Sequence, residues 1–186
     1  MKLKRSHKAV FLGFLLFVIA TAALVFAAQD KYNLKVPGGL AFSEFRGYEK
    51  WQAISISRNE KVMALTVGNP EMIEAYQAGF PGNGKPVPDG AKMAKIHWTP
   101  KPQEFFKDAS VPGSLANIDF MVKDSKRFAD SGGWGYAVFE YDTASNTFRP
   151  GDATSKPPQG NDARCGFTCH TAAKARDYVF TNYGPR

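Results

Sequence analysis

A chain of 186 residues with 44% hydrophobic and 13% aromatic side chains carries enough apolar material for one packed domain, which excludes an extended disordered protein. The net charge of +7 does not mark a nucleic-acid binder. Lys2, Lys4, Arg5 and Lys8 supply four of the 24 basic residues, and the others are scattered among 17 acids without a dense run.

The first element is a leader. The cationic stretch Met1–Lys8 precedes an uncharged run from Ala9 to Ala28 that closes on Ala27 and Ala28. Positive, apolar and small residues in that order form an export signal. Val25 and Ala27 suit cleavage after Ala27, so residues 1–27 are expected to be a signal peptide and the mature chain to start near Ala28. The alternative is an uncleaved anchor, because about twenty apolar residues just span a bilayer. Both place the folded part, residues 28–186, outside the cytoplasm.

Residues 29–48 read as an irregular lead-in broken by Pro37, Gly38 and Gly39. Val62–Val67 reads as a strand. A short helix follows, with Asn69 as N-cap, Pro70 at its first position, Glu71 in its first turn and Gly79 at its end; Met72, Ile73 and Tyr76 share its apolar face. Phe80–Gly90 is a Gly/Pro loop. Ala91–Trp98 alternates, with Ala94, Ile96 and Trp98 on one face and Met93, Lys95 and His97 on the other. Asn117–Lys123 does the same, with Ile118, Phe120 and Val122 opposed to Asp119, Met121 and Lys123. Trp134–Tyr141 is an aromatic-rich strand after the Ser131-Gly132-Gly133 turn, residues 144–162 read as loop, and Thr171–Phe180 as a short helix. The expected fold is α+β: a mainly antiparallel sheet with a few short helices.

The run Cys165-Gly166-Phe167-Thr168-Cys169-His170 carries the chemistry. Covalent haem attachment is usually written Cys-x-x-Cys-His, with two thiols on the vinyl groups and the histidine on the iron. Here three residues separate the cysteines. On a helical turn, positions three and four apart are both neighbours, about 5–6 Å between Cβ atoms, so the extra residue is absorbable. The alternative is a Cys165–Cys169 disulfide or free thiols; one helical turn is poor disulfide geometry, and so small a loop gives little stabilisation. Two cysteines and His170 are too few for a structural zinc site.

Further pieces resemble the cytochrome P-460 family, which includes the β-type cytochromes c′. They are Tyr48-Glu49-Lys50-Trp51, Pro88-Asp89-Gly90 leading to Lys95, Met121-Val122-Lys123-Asp124-Ser125-Lys126-Arg127-Phe128, Gly133-Trp134-Gly135, and Asp177-Tyr178-Val179-Phe180-Thr181. The resemblance implies one covalently attached haem c near the C-terminus, with His170 as the proximal iron ligand and an open distal side. It implies oxidation of hydroxylamine, or, in the c′-β type, binding of nitric oxide. It places Lys95 where P-460 members bond a lysine to the haem ring, and Asp119 where an acidic residue reaches the distal pocket. A distal arginine of some members falls near Ala64, with Arg58 and Lys61 as nearby cations. The expected partners are small nitrogen species, a redox partner such as another cytochrome, and a second copy in a homodimer; the expected location is the periplasm.

Pattern alone reads Lys95 and Asp119 as a solvated face. His97 reads as a second axial ligand or an exposed histidine. Met63, Met72, Met93 and Met121 raise a His/Met electron-transfer cytochrome, against their ordinary use as core filler.

Overall fold

The structure, a computed structural model, describes residues 29–36, 39–151 and 164–185. The leader, residues 1–27, lies outside the described residues. Six strands pair in chain order into one antiparallel sheet: β1 (Gln52–Arg58), β2 (Met63–Gly68), β3 (Lys92–Pro102), β4 (Ser110–Lys123), β5 (Trp134–Asp142) and β6 (Thr147–Pro150). With helices α1 (Pro70–Gln77) and α2 (Arg164–His170) and several 3-10 turns, this is the α+β fold expected from the alternating runs.

Helix α1 forms for the reasons its caps predict. The Asn69 carboxamide oxygen accepts from the Met72 amide at 3.2 Å and from the Lys92 amide at 2.8 Å. Its Nδ2 donates to the Gly90 carbonyl at 2.9 Å, so one cap ties the helix start to the start of β3. Gly79 then stops the helix with φ +96°.

Alternation on the central strands holds, and it buries both faces of the sheet. Val67, Ala94, Ile118, Phe120, Val122, Ala137 and Phe139 pack on one side against Leu40, Phe42, Phe45 and Tyr48. Met93, Met121, Trp134 and Tyr136 pack on the other against Met72, Ile73 and Tyr76 of α1 and against Val179 from the C-terminal segment.

Four expectations change. Residues 29–48 are the cover of the first core, built from 3-10 turns at Lys31–Asn33 and Phe42–Phe45, with Leu40, Phe42 and Phe45 fully buried. Short 3-10 turns have no period to read, which hides such a segment. β1 and β6 are edge strands; β1 is mostly exposed and polar, so it lacks a two-sided pattern, and β6 turns part of the supposed 144–162 loop into strand. β3 and β4 run beyond the expected limits as one long hairpin, with register shifts at His97/Trp98 and Trp98/Pro100. The C-terminal helix lies upstream of its expected place: α2 covers the cysteine motif, a kinked 3-10 stretch spans Thr171–Arg176, and left-handed Asp177 and Tyr178 end it.

Candidate cofactor site

A cavity of about 330 Å³ opens on the second face of the sheet. The strands contribute Thr66, Met93, Lys95, Asp119, Met121, Tyr136 and Val138; the C-terminal segment contributes Gly166, Cys169, His170, Val179, Phe180 and Thr181. The pairing register explains the sheet wall. Thr66 pairs with Lys95, Lys95 with Asp119 and Asp119 with Val138, giving one row across β2 to β5. Met93, Met121 and Tyr136 form the neighbouring row. The face read from pattern as solvated is therefore a cavity wall.

Asp119 is held from its own side of the sheet. Asn117 Nδ2 donates to its Oδ1 at 2.5 Å, and His97 Nε2 lies 3.1 Å from its Oδ2, within ion-pair distance but without hydrogen-bond alignment. His97 is thus Asp119's neighbour, half-buried rather than exposed.

Helix α2 brings the cysteine motif to the cavity. Positions 165 and 169 stand one turn apart on it, and Cys169 is an exposed free thiol; the side chain of Cys165 lies outside the described residues. His170 ends the helix. Its Nδ1 hydrogen-bonds the Tyr178 carbonyl at 2.5 Å, and since a carbonyl only accepts, Nδ1 carries the proton and Nε2 keeps its lone pair. Burial pushes the imidazole pKa below its ordinary 6.5; the Tyr178 bond opposes this, the Lys95 charge adds to it and the Asp119 charge opposes it. Lys95 and Asp119 are close enough to His170 for their charges to act on it, although they lie on different elements. Phe180 and Tyr136 flank the imidazole, with ring centroids at 4.8 and 5.2 Å.

Other candidates fall away from the cavity. Arg58 pairs with Met63 and so faces the other side of the sheet; Arg58 and Lys61 are exposed, and Ala64 is buried. Among the described residues lining the cavity there is no arginine. Met93 and Met121 line it, whereas Met72 is core on the buried face of α1.

Tyr136 is the site residue that the sequence reading passed over. It is 2% exposed, lines the cavity, and its hydroxyl has no hydrogen-bond partner among the described residues. Burial raises its phenol pKa well above the ordinary value, so it remains a donor. The available signal was its place two residues from Trp134 and Val138 on one alternating face.

These residues fit a haem. The cavity volume lies at the lower end of the range of about 300–1,000 Å³ for cofactor sites, and its walls are largely apolar. A neutral imidazole suits the iron, a thiol one residue before it suits a vinyl group, and the Tyr136 hydroxyl lines the cavity buried and without a hydrogen-bond partner among the described residues. No curated protein matches the chain. The sequence model of the family described as Cytochrome P460 matches residues 45–181, from Phe45 beneath the sheet to Thr181 at the cavity rim. Both walls of the cavity fall inside that match, and with most of its length covered the chain belongs to the cytochrome P460 family of c-type haem cytochromes.

Proposed function

We propose that this protein is an exported mono-haem cytochrome that oxidises hydroxylamine, with haem c attached through Cys165 and Cys169 and His170 as the axial ligand. The observation that carries the reading is the cross-strand pair Lys95–Asp119 on the wall of the cavity that also contains His170. The bound haem supplies the redox centre through which electrons leave the substrate. Oxidising hydroxylamine also releases protons, and Asp119 is the acceptor: a carboxylate lining the cavity, with Asn117 and His97 to orient it. His170 holds its proton on Nδ1, so Nε2 would be the atom that holds the iron. Lys95, on the same wall, would be the side chain placed against the haem ring and would hold it there. Export through residues 1–27 delivers the chain to the periplasm, where it passes electrons to a second cytochrome.

The test is the absorption spectrum of the holoprotein and of Lys95→Ala, with hydroxylamine turnover. Wild type is expected to show a displaced, red-shifted Soret band, and Lys95→Ala an ordinary c-type band with turnover suppressed. One shared spectrum ends the cross-link reading. Nitric-oxide binding of the c′-β type is then the better reading.

A further inference from the structure

Four segments distant in sequence meet at one corner of the sheet behind His170. Lys123, the last residue of β4, is 6% exposed. Its ammonium donates to Asp177 Oδ1 at 2.7 Å, Asp177 Oδ2 at 3.0 Å and the Gly132 carbonyl at 2.9 Å, which occupies all its protons. The Asp177 carboxylate also accepts the Val87 amide at 2.8 Å, and its backbone carbonyl accepts Trp134 Nε1 at 2.8 Å. Asp177 is thereby gripped from the loop before β3, from the end of β4 and from the start of β5.

The grip holds an unfavourable backbone. Asp177 (φ +47°) and Tyr178 (φ +63°) are consecutive non-glycine residues in the left-handed region. Such residues persist where their surroundings over-determine them, and they cluster at functional sites. The Tyr178 ring lies so close to Gly132 that a Cβ there would sit 2.1 Å from it. The turn delivers the Tyr178 carbonyl to His170 Nδ1 at 2.5 Å.

We propose that the buried Lys123–Asp177 ion pair is a positioning device for the axial histidine. It locks the Asp177–Tyr178 turn so that the Tyr178 carbonyl takes the Nδ1 proton, and this sets the ring's tautomer, its orientation and the basicity of Nε2. The inference rests on the reading of His170 as iron ligand. A strong Nδ1–H···O=C bond lends the ring imidazolate character, which strengthens its bond to iron and favours the oxidised state. A pair serving only the fold would contribute to stability and leave these properties alone.

The experiment uses the haem-loaded protein, with the ferrous iron–histidine stretch read by resonance Raman, the reduction potential, and urea stability. Asp177→Asn preserves volume, left-handed tolerance and an acceptor for Val87, but removes the charge. Lys123→Met removes the other partner and leaves a buried carboxylate uncompensated. Both are expected to shift the stretch to lower frequency and the potential upward. Asp89→Asn is the control: Asp89 binds the Ser125 amide and hydroxyl at the same corner without touching Asp177, so it should lower stability and leave the stretch in place. If Asp177→Asn loses stability with stretch and potential unchanged, the proposal is overturned; this milder variant decides even if Lys123→Met does not accumulate. No iron–histidine stretch in wild type would overturn the ligand reading itself, a result distinct from an unmoved one.

Discussion

The two faces of one sheet are built from the same strands and serve opposite ends. On the first, Phe42 touches the rings of Phe120, Phe139 and Phe148 at 4.8 to 5.2 Å, and Phe45 stacks on Phe120 at 4.1 Å, so the space is filled with aromatic carbon. On the second, one residue along each strand, Lys95 replaces Ala94, Asp119 replaces Phe120 and Tyr136 replaces Ala137, and a cavity remains. Period-two alternation makes this division possible, because neighbouring residues never share a face. The closed face can carry the stability while the open face keeps charges and an orphaned hydroxyl that a pure core would reject.

The sharpest break of that comparison sits on the open face. His170→Ala should abolish the axial histidine signature, and Cys169→Ala should leave haem less firmly attached. Intact mass after acid–acetone extraction checks this: wild type from a maturation-competent host retains one haem, and unmodified wild type would end the covalent reading. The closed face should break independently. Phe42→Ala removes a fully buried ring and should lower unfolding stability by about 3–5 kcal/mol, seen as a lower urea midpoint at unchanged slope, while the haem spectrum stays as in wild type.

The open face was legible in part because its carriers sit on regular strands. Alternation put Lys95 and Asp119 on one side of β3 and β4, and family position suggested what they face; only the pairing register shows them as direct neighbours. The capped helix at Pro70 was legible for a local reason, since Asn69 and Pro70 carry their geometry with them. The cover over the first face was not legible: Phe42 and Phe45 lie in 3-10 turns, where burial comes from contacts with strands far along the chain. The grip on Asp177 was hidden for the same reason, since Val87, Lys123 and Trp134 converge on it from three distant segments.

A finer test separates holding the haem from using it. Asp119→Asn keeps the side-chain size and removes the proton acceptor. If Asp119 takes protons from hydroxylamine, turnover should fall about 10²-fold with the Soret band unmoved. Unchanged turnover would leave Asp119 as a mere wall of the cavity. Stopped-flow spectra alongside steady-state rates distinguish slower chemistry from lost haem.

The smallest effect is expected at Tyr136, and its sign carries the information. The hydroxyl is buried without a partner among the described residues, and a buried hydroxyl left unpaired costs about 1–3 kcal/mol. In protein made without haem attachment, Tyr136→Phe deletes that unpaired group and should be neutral or stabilising by up to about 1 kcal/mol. In the holoprotein, a bound group that accepted from the hydroxyl would reverse the sign, and the same change should then destabilise by about 1 kcal/mol. Titration gives a second readout. Burial raises the phenol pKa above 10.0, so above that pH the unfolded chain releases a proton that the folded chain retains. Stability then falls as pH rises beyond about 10, and Tyr136→Phe should flatten that alkaline loss. Urea midpoints of both forms, measured from neutral pH to pH 11, decide the matter: the same sign of effect in both forms would place the hydroxyl away from any bound group.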